Sequence, residues 1–215
     1  MRAIYFSLAF LLLSLNIQAQ FKYGARTQIS MGTSSGATVQ LTSVSPVEVI
    51  DLTYKGDNAG YGAGGFIYAD NALLFFMTEF LFQKSSSNFE LSSDIVDLKR
   101  SRSTRNFTRK TNSVVIPVAA GLKFNNFKFG VGPLFKFTTS TNNDIDNLDY
   151  ITVSDNDYNG GFQFLIGYSF ADKLHIDLKR EVSYSSATDG ILYRNSPIEL
   201  DQSTQKISLN IGVLF

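Results

Sequence analysis

The last ten residues of the chain read KISLNIGVLF, and Ile207, Leu209, Ile211, Val213 and Phe215 fall two residues apart. Lys206, Ser208, Asn210 and Gly212 occupy the positions between them, with Leu214 the single apolar exception. A period of two belongs to a strand with two unlike faces. The same alternation returns in Phe21 to Met31, Leu73 to Ser85, Val114 to Phe124, Phe127 to Thr138, Gly161 to Phe170 and Leu174 to Tyr184. A weaker, glycine-rich version, GYGAGGFIYA, spans Gly60 to Ala69. The pattern therefore predicts eight strands, each about the roughly 9–11 residues that a tilted strand needs to cross a bilayer. Termini are usually polar and frayed unless tied into a sheet. A final phenylalanine on the apolar face is thus expected to be buried in something apolar.

The connections fall into two kinds. Asp70-Asn71-Ala72, Asn125-Asn126 and Ala171-Asp172-Lys173 are tight and carry good turn residues, whereas residues 32–59, 86–112, 139–160 and 185–204 are long. Short and long alternate strictly, as in transmembrane barrels with short periplasmic turns and long external loops. Turn length also sets register. A two-residue turn at Asn125-Asn126 would pair Phe124 with Phe127, Leu122 with Phe129 and Ala120 with Val131. A three-residue turn at 171–173 would pair Phe170 with Leu174, Tyr168 with Ile176 and Ile166 with Leu178. Paired residues share a face, so the apolar sets of neighbouring strands would coincide.

Alternation alone does not say whether the apolar face points into a soluble barrel or out into lipid. The other face does. It carries Gly24, Gly121, Gly130, Gly132, Gly161, Gly167, Gly212, Ala119, Ser169 and Ser208 among a few long charges. Small residues suit the narrow interior of an eight-stranded barrel, while a solvated exterior would be weakened by so many mid-strand glycines. The expected fold is therefore all-β, an eight-stranded antiparallel up-and-down transmembrane β-barrel with its aromatic and aliphatic set toward lipid.

Composition adds an address. The opening, MRAIYFSLAFLLLSLNIQAQ, pairs Arg2 with an apolar run from Ala3 to Leu15 and ends in Ala19-Gln20. It predicts a secretory signal peptide over 1–19, cleaved to leave the barrel at 20–215, because the run is shorter than the roughly 20 residues of a spanning helix. Without it, 18 basic groups face 19 acidic ones, so no global field draws the protein to nucleic acid. There are no cysteines, which excludes disulfides and a lipidated lipoprotein cysteine. The expected location is the cell outer membrane, with its lipid as the surroundings.

Several segments resemble the small outer-membrane β-barrel family of Bacteroidota often called PorT-like. They are the signal ending in AQ, TEFLFQKS (78–85), VVIPVAAGLKF (114–124), FKFGVGPLFKF (127–137) and ISLNIGVLF (207–215), with Val115 where such proteins often carry an acid. The closing strand also resembles the C-terminal signal read by the barrel-assembly machinery, which would assign Ile211, Val213 and Phe215 to assembly. Some members of the family serve type IX secretion, a role that the resemblance alone does not transfer.

By the parity of the strands, Lys22, Arg26, Glu79, Lys123, Lys128, Lys136, His175, Asp177, Lys179 and Lys206 face inward. Charges in so narrow a lumen need partners. Arg26, Glu79, Lys123, Lys136, Asp177 and Lys179 are the candidates for a salt-bridge network that fills the barrel, a cationic path for small anions being the alternative. The sole histidine, His175, lies beside a short turn and faces away from lipid, with no GxSxG near any serine. No catalytic or metal site and no cofactor is expected. Outside the barrel, Lys99, Arg100, Arg102, Arg105, Arg109 and Lys110 form a basic external loop, expected to attract an acidic run across the barrel mouth, with binding of anionic sugars or phosphates as the alternative. Asp144, Asp146, Asp149, Asp155 and Asp157 make that acidic run, which lacks the glycine and spacing of an EF-hand. Residues 33–59 are expected to be an exposed loop.

These features point to a non-enzymatic envelope component, structural or accessory to secretion and surface assembly, with an envelope or secretion-system protein as partner. A small-solute or ion pore is the alternative, and a lipid-modifying barrel enzyme the next.

Overall fold

The computed structural model describes residues 20–33, 36–44, 47–95, 103–143, 151–153, 158–171, 173–186, 191–193, 196–198 and 203–215. The proposed signal segment, Lys99, Arg100 and Arg102 of the basic loop, and all five aspartates of the acidic run lie outside them.

The strands are β1 (Gln20–Gly32), β2 (Thr38–Val44), β3 (Val47–Asp57), β4 (Gly60–Asp70), β5 (Leu74–Ile95), β6 (Ser103–Phe124) and β7 (Phe127–Asn143). They continue with β8 (Ile151–Val153), β9 (Asn159–Phe170), β10 (Leu174–Ser186), β11 (Ile191–Tyr193), β12 (Ser196–Pro197) and β13 (Ser203–Leu214). Antiparallel pairing runs β1–β4–β5–β6–β7–β9–β10–β13 and returns from β13 to β1, so the sheet closes into a ring of strands. Within the ring each strand has a paired neighbour on both sides, whereas 137–143 of β7 pair only with β6 and β2 ends the sheet beside β3.

The turns at Asn125-Asn126 and at 171–173 set the register that their lengths predict, whereas the turn expected at Asp70-Asn71-Ala72 starts later, with Asp70 still in β4 and paired with Phe75. Phe124 pairs with Phe127, Leu122 with Phe129 and Ala120 with Val131. Phe170 pairs with Leu174, Tyr168 with Ile176 and Ile166 with Leu178. Asn125 takes φ 52°, a left-handed conformation that asparagine tolerates better than most residues. The chain end is tied in as well: the Phe215 amide donates to the Tyr23 carbonyl at 3.0 Å.

Two expectations need correction. Residues 32–59 contain the β2–β3 hairpin rather than a bare loop, and β3 pairs with the outer half of β5 from Asp57↔Ser87 to Glu48↔Ile95. Most of 86–112 is strand too, since β5 and β6 stay paired out to Ser93↔Ser103. These extensions run past the apolar face of the ring. Both of their sides are largely polar, SSSNFELSS against STRNFTRKT, so no alternation announces them. What holds them is a second core, in which Ile50, Leu52 and Tyr54 of β3 meet Phe89, Leu91 and Phe107 beneath Ile198. Phe89 and Phe107 stack there at 5.1 Å between centroids.

Candidate functional site

Side chains of the ring sort by parity into two unlike surfaces. Outward, Ile207, Leu209, Ile211 and Val213 of β13 stand exposed beside Ile29 and Met31 of β1, Leu178 of β10 and Phe164 and Ile166 of β9. Phe76, Phe80 and Phe82 of β5 and Phe127, Phe129 and Val131 of β7 continue the surface around the ring. Phe21 and Phe215 are 71% and 74% exposed, and Phe215 sits 6.2 Å from the ring of Tyr23.

Inward, the surface is charged and dry. β1 carries Arg26, β5 Glu79, β7 Lys128, and β10 His175, Asp177 and Lys179, all buried. The Arg26 guanidinium donates from one nitrogen to Glu79 and from the other to Asp177. The Lys179 ammonium reaches both Glu79 oxygens at 2.7 Å, and Lys128 pairs with Asp177 at 3.1 Å. Lys128 also lies 2.7 Å from His175 Nδ1, which must accept because an ammonium only donates. The side chains of Arg26, Glu79, Lys128, Asp177 and Lys179 have no solvent-accessible surface. Three cations thus bracket two carboxylates, and aromatic faces take part of the excess charge. Arg26 lies 4.5 Å over Phe66, and Lys128 5.2 Å from the Tyr68 centroid.

Glycine makes room for this cluster. A Cβ on Gly167 would meet Asp177 Oδ1 at 1.9 Å, and one on Gly212 would meet the Arg26 Nε and the Phe66 ring at 3.0 Å. The small inward residues read from the sequence are therefore the space into which long charged and aromatic side chains fold.

The remaining expected lumen residues sit elsewhere along the axis. Lys123 joins Lys22 at Asp70, on the side of the short turns. Lys136 lies in a cavity on the side of the long connections, together with Asp57, Arg109, Glu181 and Lys206. The structure thus brings together Arg26, Glu79, Asp177 and Lys179 and separates Lys123 and Lys136 from them. Lys128 and His175 complete the cluster; their inward parity was readable, but their proximity to Asp177 depends on how the ring curls. Between cluster and cavity, Leu81, Val115 and Leu134 form a buried apolar layer. Of the basic loop, Arg105 and Lys110 are exposed and Arg109 turns toward the cavity. In the outer core, Tyr54 donates to Asp57 at 2.7 Å. Burial, and then the Asp57 charge, push its phenol pKa upward.

No protein-family model and no curated protein matches the chain. Among solved structures it is similar to one described as the NanC porin, with 7% identity over 88% of this chain and 98% of that chain, at a TM-score of 0.31. So distant a likeness carries no argument about this protein. Its all-β ring of strands stands on its own pairing pattern.

Proposed function

We propose that the protein is an eight-stranded outer-membrane β-barrel, held in lipid by its exposed aromatic and aliphatic belt. In this reading it is a closed, non-enzymatic envelope component, structural or accessory to secretion and surface assembly. One observation supports this above all others: the ring is inverted relative to a soluble barrel, with phenylalanine, isoleucine and leucine outside and a buried ion cluster inside. Contiguous apolar patches beyond a few hundred Å² are rare on soluble monomers and mark partner or membrane surfaces. A belt that returns on strand after strand around a closed ring fits a solvent rather than a docking partner.

Closure of the lumen follows from the same residues. Arg26, Glu79, Lys128, Asp177 and Lys179 span the interior from several strands, and the Leu81–Val115–Leu134 layer lies beyond them. An ion crossing the barrel would have to break paired, desolvated charges.

The test is fractionation of cells producing the full-length chain, followed by alkaline carbonate extraction and unheated gel electrophoresis. The expected result is retention in the outer-membrane pellet, with a folded band that shifts on boiling. Recovery in a detergent-free soluble fraction would overturn the proposal. In planar bilayers the purified barrel should show no stable nanosiemens steps; their appearance would replace the closed lumen with a pore.

A further inference from the structure

A cavity lies at the end of the ring that carries the long connections. It has a volume of about 90 Å³. That is room for several waters or one small ion. Its walls come from seven strands, and Arg109, Lys136 and Lys206 supply three cations to it.

The two carboxylates on its walls are already engaged. Asp57 accepts from Tyr54 at 2.7 Å and from Ser87 at 2.5 Å, and pairs with Lys206 at 3.6 Å. Glu181 accepts from Gln28 at 3.0 Å and from Ser208 at 3.1 Å. Lys136 is different. Half-buried on the cavity wall, it makes no ion pair and no hydrogen bond with any described residue. Three cations line the cavity against two carboxylates that are already engaged, an ammonium withdrawn from bulk water without a direct partner is costly, and a bound anion would supply one. Thr111, Thr138 and Asn159 place neutral hydrogen-bonding groups around the same space. Several donors converging with a fixed cation suit an anion with more than one acceptor oxygen.

We propose that this cavity is a binding site for a small oxyanion, a carboxylate or phosphate group, held chiefly by the Lys136 ammonium. The apolar layer of Leu81, Val115 and Leu134 lies between it and the Glu79 cluster. The site is therefore blind, and the anion enters and leaves on one side without crossing the barrel. This inference needs the closed ring and its lining, and does not depend on where in the cell the ring sits.

The experiment is calorimetric titration of the folded, full-length protein in a zwitterionic detergent at low chloride, with sodium phosphate and sodium acetate as separate probes. At least one should bind saturably within the millimolar range, and the tighter of the two identifies the headgroup as phosphate or carboxylate. Lys136→Met should weaken binding about tenfold or more, whereas Lys55→Met, which removes an exposed charge outside the cavity, should change it less than about twofold. Lys136→Met removes a charge that forms no direct ion pair with the Asp57 or Glu181 carboxylates of the same cavity, so it should keep the folded gel band. If it does not fold, Lys136→Arg, which retains the cation, should fold and bind. Saturable binding by neither probe would overturn the proposal. So would equal binding by wild type and Lys136→Met, or an equal loss in Lys55→Met, which would show only diffuse charge attraction.

Discussion

Replacing Glu79 by glutamine changes almost nothing in shape and removes the charge that holds two cations inside the barrel. Each Glu79 oxygen lies 2.7 Å from the Lys179 ammonium, and one also accepts from Arg26, all without solvent contact. A charge pair at 4 Å and an effective dielectric of 20 attracts by about 4 kcal/mol, so two cations give about 8 kcal/mol gross. The carboxylate no longer has to be desolvated in the variant, which returns much of that. Removing one partner of a buried pair costs about 3–5 kcal/mol, and glutamine does worse than a silent loss because its amide donors face cationic donors. We therefore expect Glu79→Gln to lower unfolding free energy by about 3–5 kcal/mol. With urea slopes of about 1–3 kcal/mol per molar, the midpoint falls by about 1 M or more. The protein has no tryptophan, so unfolding from lipid vesicles is best followed by far-ultraviolet circular dichroism or by the heat-dependent gel shift. Glu79→Gln combined with Lys179→Met should recover at least about 1 kcal/mol, because the stranded cation is gone. An unchanged midpoint in the single variant, or a double variant no more stable than the single, would refute the buried network as described.

Leu209→Arg places a charge on the outward face between Ile29 and Leu178 and should cost about 2–4 kcal/mol if that face meets the bilayer interior; an unchanged urea midpoint in vesicles would put the face in water. Phe215→Ala removes the ring beside Tyr23 and, if Phe215 serves in assembly as proposed from its resemblance to a C-terminal signal, should lower the yield of folded protein measured by the unheated gel band; an unaltered yield would refute that role. The raised pKa of Tyr54 should keep its phenol protonated in alkali that ionises ordinary tyrosines near about pH 10. Its stabilisation is then complete below the unfolded pKa and is lost as pH rises through the folded one. Ultraviolet titration to about one unit above that range should count the same number of tyrosinates in wild type and Tyr54→Phe, and one fewer in the variant would show Tyr54 ionising normally.

Alternation made much of the molecule legible. A side-chain period of two fixes which residues share a face, and turn lengths of two and three fix how those faces meet, so the pairs Phe124–Phe127 and Phe170–Leu174 follow without coordinates. The inward parity of Arg26, Glu79, Asp177 and Lys179 followed in the same way. Parity says which way a side chain points, not how far along the barrel it lies or which distant strand it meets. That depends on the stagger of the closed ring, which sends Lys123 to Asp70, Lys136 to the outer cavity, and Lys128 to Asp177. The outer core escaped the sequence for a related reason. Phe89, Leu91 and Phe107 are sparse among polar neighbours, and they are buried with Ile50, Leu52 and Tyr54 of the hairpin of Thr38–Val44 and Val47–Asp57, which pairs onto the extended half of β5. The chain's own pattern determined the ring strands along the apolar belt, their faces and the register at two of their turns, because those are properties of neighbours in sequence. The ion cluster, the blind cavity and the second core were decided only when the ring closed, because each is made by residues that sequence keeps far apart.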